Sequence, residues 1–301
     1  MVDGLVVCWG SNEFGEIVGS PGPQECVPPL VRGLLPGDAE DVQATWNGTT
    51  VALVGGAVHA WGSDATGQIS GTPTGGSTLP PTLVAALSDD NVAIAAGAFA
   101  TCVTKLDGTV QCLGSNEFWG LGTEDPAPVG PQVVEIEGVD EVVAGFGFFC
   151  ARVEGDVLCW GDNVAGQVHL GSSDRIAFPS AVDLGGAAVR LAAGLDHACA
   201  LLGDQTVVCW GANGKQQTGA CEGGDVVGPT VVTLGDGQPL RAKRVVGGAV
   251  NTCAIDLNDV VVCWGVNGAN ESGVPYDGTL ACPPVVAQID CAASAAGAGA
   301  R

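Results

Sequence analysis

Cations are scarce in this chain: 10 Lys and Arg stand against 33 Asp and Glu in 301 residues, a formal net charge of −23. A surface that grips phosphates needs clustered Lys and Arg, and the only such cluster is Arg241-Ala242-Lys243-Arg244. No nucleic-acid partner is expected. Apolar runs of the roughly 18 residues a membrane helix requires are also absent. So is any helical 3.6-residue periodicity, which excludes solenoids built of helices. The three histidines, His59, His169 and His197, do not recur at one position of the pattern described next. No Ser/His/Asp grouping, P-loop or HExxH motif occurs. The expectation is a chain that is no enzyme and holds no cofactor or metal.

What the chain does have is glycine (48), proline (17), cysteine (13) and a 46% apolar composition. These are arranged as a repeat. Residues 193–211, AGLDHACALLGDQTVVCWG, recur as AGAFATCVTKLDGTVQCLG, AGFGFFCARVEGDVLCWG and GGAVNTCAIDLNDVVVCWG, and more weakly as TWNGTTVALVGGAVHAWG. The Trp-Gly step or its equivalent falls at residues 9, 61, 113, 160, 210 and 264, 47 to 54 residues apart. A loop of the form G-x-N/D/A-x-x-G follows each, then a variable Gly/Pro-rich stretch and a strand led by Pro, a position proline tolerates. A last short strand enters the next hairpin. Four short strands per period and no helix read as a propeller blade.

The expected fold is therefore all-β, a single domain over 1–301 with units near 1–43, 44–95, 96–143, 144–192, 193–246 and 247–301. It is a β-propeller of about six four-stranded antiparallel blades. The first unit opens at the hairpin turn Asp3-Gly4, and the last strand ends at Gly297, where Gly194 stands in its own unit. The two termini should thus meet in one blade.

Eight cysteines form hairpin pairs, Cys102/Cys112, Cys150/Cys159, Cys199/Cys209 and Cys253/Cys263, each centred on a predicted turn. Facing residues at non-hydrogen-bonded positions have Cα atoms about 4.5 Å apart, near the lower limit for a bridge. In the second unit both positions change together, to Val51 and Ala60. Residues lost as a pair behave as partners, so disulfides are favoured over buried thiols. They imply an oxidising compartment: extracellular, periplasmic or at the cell surface. Met1-Val2-Asp3-Gly4 contain no basic or apolar leader. The partner of Cys8 would fall just past Arg301, and the pairing of Cys26, Cys221, Cys282 and Cys291 stays open.

Most other polar candidates have a structural account. Asp89-Asp90 and Glu124-Asp125 read as solvated loop acids. Asn12, Asp64, Asn116, Asn163, Asn213 and Asn267 follow the Trp-Gly steps, and turn formation explains them better than calcium does. Trp residues at 9, 61, 160, 210 and 264 sit at fixed strand ends and read as packing residues. Two tryptophans break the repeat: Trp46 replaces the Gly of A-G, and Trp119 is inserted after Phe118. Aromatics that depart from a repeat are candidate binding anchors, so Phe118, Trp119 and Trp46 are the interface candidates.

The combined pattern, A-G-x-x-H-x-C-A-L, a D-G-like turn, V-x-C-W-G-x-N-x-x-G-Q and a Pro-led strand, resembles the regulator-of-chromosome-condensation repeat. Ala193 to Gly219 and Ala144 to Gly171 carry it best, and the likeness covers essentially the whole chain. The kelch repeat has a similar period, but its paired glycines and downstream Tyr…Trp are missing. The resemblance implies a propeller, for which the family norm is seven blades. The family's eukaryotic founder is a guanine-nucleotide exchange factor for a small nuclear GTPase and docks on chromatin. Its loop residues match no position here, and its basic chromatin-facing surface contrasts with this acidic chain. Cys- and Gly-rich versions look like bacterial members, many of them secreted. One bacterial relative inhibits β-lactamases, an analogy at the level of fold.

The function expected is a non-enzymatic interaction module, monomeric and exported, binding a protein or peptide through loops on one propeller face. The alternative is nucleotide exchange on a small GTPase. A hydrolase or lyase in the central channel ranks last, for want of converging titratable groups.

Overall fold

The computed structural model describes residues 6–10, 13–14, 17, 27–31, 35–73, 75–126, 130–222, 224–266 and 281–287. Among these the chain is all β apart from one short 3-10 turn, Ala85–Leu87. Sheet I pairs Val7–Gly10 with Val27–Val31. Sheet II comprises Asp41–Ala44, Thr49–Val54, Ala57–Ser63 and Thr78–Leu83, and sheet III Asn91–Ala96, Ala100–Lys105, Val110–Gly114 and Gln132–Val134. Sheet IV is Glu141–Ala144, Phe148–Val153, Asp156–Gly161 and Ile176–Val182. Sheet V is Ala188–Ala193, His197–Leu202, Val207–Ala212 and Val226–Val231, and sheet VI is Ala242–Gly247, Asn251–Asp256, Val261–Gly265 and Ala281–Val286. Every sheet from II to VI is four-stranded, antiparallel and ordered as in the chain.

Six four-stranded blades were the expectation; five are found among the described residues, with sheet I contributing two strands. The residues expected to close the ring, 1–5 and 288–301, lie outside the described set.

Turn chemistry sets the hairpins. In sheet IV Val153 pairs with Asp156 across Glu154 (φ 51°) and Gly155 (φ 96°). A two-residue turn with both φ positive matches the twist of its strands. The Lys105–Thr109, Leu202–Thr206 and Asp256–Val260 turns hold three residues, the last left-handed: Gly108, Gln205 and Asp259. That difference is why one cysteine pair is separated by 9 residues and three by 10.

All four hairpin disulfides form: Cys102–Cys112, Cys150–Cys159, Cys199–Cys209 and Cys253–Cys263. Their Cα–Cα distances of 4.0 to 4.1 Å are shorter than the spacing expected of facing residues. A fifth, Cys221–Cys282, closes a 61-residue separation and joins the post-Trp loop of sheet V to the outer strand of sheet VI. Cys8 is half-buried and unpaired among the described residues, its thiol pushed up by burial; Cys26 and Cys291 lie outside them. Five bridges suit an oxidising environment.

The apolar core is divided among the seams between neighbouring sheets. Cys102 and Cys112 of sheet III share a cluster with Trp160 of sheet IV. Cys150 and Cys159 pack likewise with Trp210, and Cys199 and Cys209 with Trp264. The cystine of one sheet therefore belongs to the same core as the indole of the next. Cys253 and Cys263 differ from the other six hairpin cysteines here. Cys263 is buried and Cys253 half-buried, yet neither joins a core cluster with an indole of another sheet among the described residues. Sheet VI is the last sheet in chain order among the described residues. The exception at sheet II completes the rule. Val51 and Ala60 replace the cysteines of sheet II, and at the indole position of sheet III their cluster holds Leu113, not Trp. Cystine and indole are lost together because they fill one space.

Candidate binding face

Antiparallel order places two kinds of loop at one end of every sheet: the A-G-x-x loop after the innermost strand and the post-Trp loop after the third. The hairpin turns lie at the other end. Innermost strands of successive sheets pack on one another, and their A-G-x-x loops surround an axial well of about 250 Å³. Its lining includes Trp46, Ala98, Phe146, Leu195 and Ala249 and, among the described residues, contains no ionisable side chain.

A relay of backbone hydrogen bonds links the loops around the axis. Ala98 N–H donates to Phe146 O, Phe146 N–H to Leu195 O, and Leu195 N–H to Ala249 O, at 2.8 to 3.2 Å. The glycines of A-G-x-x allow this approach. A Cβ on Gly194 would lie 2.0 Å from His197 Cε1 and 2.5 Å from Gly248 O.

Sheet II breaks the relay by one residue. Thr45 N–H bonds Thr49 O as Gly97 N–H bonds Ala100 O and Gly194 N–H bonds His197 O. Thr45 thus stands in the glycine position, and Trp46 is an added residue; the sequence reading placed Trp46 in the glycine's place. The Asn47 side chain supplies the missing link, donating from Nδ2 to Ala98 O at 3.0 Å. Released from that duty, Trp46 projects at the rim of the well and is 70% exposed.

Trp119 too takes a different place from the one expected. Its φ of 60° matches Gly67 (77°), Gly166 (66°) and Gln216 (60°), so Trp119 replaces a left-handed glycine and is not an insertion. Gly120 then stands where Gln68, Gln167 and Gln217 stand. The indoles confirm this register: Trp160 Nε1 donates to Gly120 O and Trp210 Nε1 to Gln167 O, both at 2.9 Å. Glycine is needed at 120 because Phe149 occupies the space, its ring 3.0 Å from a Cβ placed there.

Phe118 stands 4.8 Å, centroid to centroid, from Phe99 and 6.1 Å from Phe146, with the Arg175 guanidinium 4.7 Å above its ring. Phe146 also lines the well. The structure therefore brings Phe118 to the same face as Trp46, joined through Phe146. Phe14, 41% exposed, packs at Gly48 of the Trp46 loop. Phe14, Phe99 and Phe146 extend the patch beyond the predicted residues. Their signal in the sequence was position: each occupies one of the two loops that share this end.

Charge on this face is acidic. Asp162 is held 3.9 Å from Arg175, yet burial outweighs that cation and raises its carboxyl. Asp196, next to the lining Leu195, is raised by burial and then by the charge of Asp162. Beneath the loops His197 is fully buried, its Nε2 2.8 Å from Thr252 Oγ1, and burial lowers it to about 4. It is an inter-sheet strut.

The remaining polar candidates take structural places. Asp64 and Asn163 each accept two loop N–H groups, and Asn116 one; Asn213 accepts the Thr218 hydroxyl. Asn12 and Asn267 fall outside the described residues. Asp90, at the opposite end, pairs with Lys105 at 2.6 Å. Of the basic cluster, Arg241 bonds Asp204 O and Lys243 pairs with Asp259, both on the hairpin-turn end.

The family model for the regulator of chromosome condensation (RCC1) repeat matches residues 188–217, the heart of sheet V. The match is confined to that one unit, and the fold around it is similar to that of propellers built from this repeat. It is 28% identical over 264 residues to the E3 ubiquitin-protein ligase HERC2 of Homo sapiens, covering 84% of this chain and 5% of that one. It is 24% identical to the ultraviolet-B receptor UVR8 of Arabidopsis thaliana over 89% of this chain and 62% of the receptor. The propeller thus spans less than two thirds of either relative. Among solved structures it resembles Prp20p of Saccharomyces cerevisiae, described with its binding to Gsp1p and histones. The TM-score is 0.79 at 19% identity, over 95% of this chain and 73% of that one.

Proposed function

We propose that this propeller is a non-enzymatic interaction module that binds a protein or peptide partner through the loop face. The observation carrying this reading is Trp46, which an added residue lifts out of the axial relay and leaves exposed on the rim of the well. A large apolar side chain held in water has no structural return, and aromatic anchors of this kind dominate binding energy when covered. Prp20p, whose fold is similar, binds the proteins Gsp1p and histones, which supports protein binding by such a face. The module acts as an exported monomer in an oxidising compartment, of the bacterial type, without cofactor and without nucleic-acid contacts. Capture of partners by immobilised wild type, compared with Trp46→Ala and Trp119→Ala, tests it. Partner bands should weaken in both variants, and undiminished capture by both excludes this face.

Nucleotide exchange on a small GTPase is the second reading, favoured by the likeness to a Gsp1p-binding propeller. Acceleration of labelled-GDP release from a GTPase of the host would support it.

A further inference from the structure

The well offers a guest shape without charge. Among the described residues its lining consists of Ala, Gly, Thr, Trp, Phe and Leu. A charged side chain entering it would shed water and gain no counter-charge, whereas an aliphatic or aromatic one loses nothing. At about 250 Å³ the well has room for a single large side chain.

The rim is different. Asp196 follows the lining residue Leu195 directly, so its Cα is about 3.8 Å further along the chain. The Asp196 carboxylate is half-buried and has no cation within salt-bridge reach among the described residues. The nearby cation, Arg175, is committed to the Phe118 ring, to Glu117 O and to Asp162. On a chain of net charge −23, the rim therefore favours a cation and repels an acidic segment.

Resting on the reading of this face as a protein-binding surface, we propose what it recognises. It is an extended segment in which an aliphatic or aromatic residue, seated in the well against Trp46, lies within two residues of a Lys or Arg paired with Asp196. The apolar side chain supplies most of the affinity, by covering Trp46 and the well. The cation supplies orientation and selectivity, because its absence leaves a half-buried carboxylate further desolvated and unpaired.

The probe is a phage-displayed library of random peptides panned on the intact, disulfide-bonded propeller. Enriched sequences should share an apolar residue next to Lys or Arg. A synthetic peptide carrying the enriched motif should lose about tenfold or more in affinity on Asp196→Asn and on Trp46→Ala. It should lose as much on Ala249→Leu, which fills the well, and nothing on Asp107→Asn at the opposite end. Thermal melts of the variants confirm that each remains folded. Enrichment of acidic or charge-free sequences overturns the proposal. So does equal sensitivity to Asp107→Asn and Asp196→Asn, or indifference to Ala249→Leu. A panning experiment without the motif, alongside Trp46-dependent capture of a protein partner, refutes this recognition rule and leaves the function standing. Failure of both removes the face altogether.

Discussion

The seams between sheets and the loop face around the axis come from the same repeat, yet they follow it to different degrees. Each seam from sheet III to sheet VI sets a cystine against the next sheet's indole, and these side chains are almost wholly buried. When one seam departs, at Val51, Ala60 and Leu113, both sides change together. On the loop face the departures leave side chains in water: Trp46 is added, Trp119 occupies a left-handed site, and neither is buried. A compensated departure keeps a space filled. On the proposed function, one that leaves an aromatic in water serves the partner.

That contrast can be broken by measuring stability. The largest effect belongs to the seam. Trp210→Ala should cost about 3–5 kcal/mol in chemical denaturation, since it empties the cluster against Cys150–Cys159 and orphans Gln167 O. A cost no greater than that of Trp46→Ala would erase the distinction.

Acid is the next lever. His197 sits at about 4 in the fold against 6.5 when exposed, so the unfolded chain binds the proton more readily. Stability present above pH 6.5 is lost as pH falls toward 4, by up to about 3 kcal/mol. Asp162 and Asp196, both raised, push the opposite way, so the informative quantity is a difference. His197→Asn, which copies Asn251 of sheet VI, should flatten the loss between those limits relative to wild type.

Copying sheet II into sheet V sharpens the seam further. Cys199→Val with Cys209→Ala removes a hairpin bridge and should cost about 2–3 kcal/mol by loop entropy, read from the melting midpoint under oxidising conditions. The loop face should answer with the smallest changes. Trp119→Gly should gain about 1 kcal/mol by relieving its left-handed backbone, and Trp46→Ala should move stability by no more than about 0.5 kcal/mol. Both should nonetheless reduce partner capture.

Much of this architecture is legible in the linear text. The hairpin cystines are, from Cys102–Cys112 to Cys253–Cys263, because a disulfide across a tight turn needs only the register of two neighbouring strands, and turn residues declare that register. The seam is half legible. Paired replacement of Cys by Val51 and Ala60 marks them as partners, but Leu113 belongs to the next unit, and nothing in one repeat says which other repeat it will touch. Trp46 and Trp119 stand out as departures, while their nature was misassigned. A gap in a repeat can be placed at several positions in a string, whereas the bonds of Thr45 N–H and Gly120 O each allow only one. The Cys221–Cys282 link, with a sequence separation of 61, had no local signal at all.

Sequence alone determined that the chain is all β, that its unit is a four-stranded meander, and which cysteines face each other across its hairpins. Those properties depend on residues within about ten positions of one another, through turn geometry and strand alternation. The tertiary structure decided the rest: the pairing of each cystine with a neighbour's indole, the axial relay and its repair by Asn47, and the meeting of Trp46 with a neutral well beside Asp196. These join residues from different units. Their proximity arises only when the sheets pack about a common axis and exclude water from the seams between them.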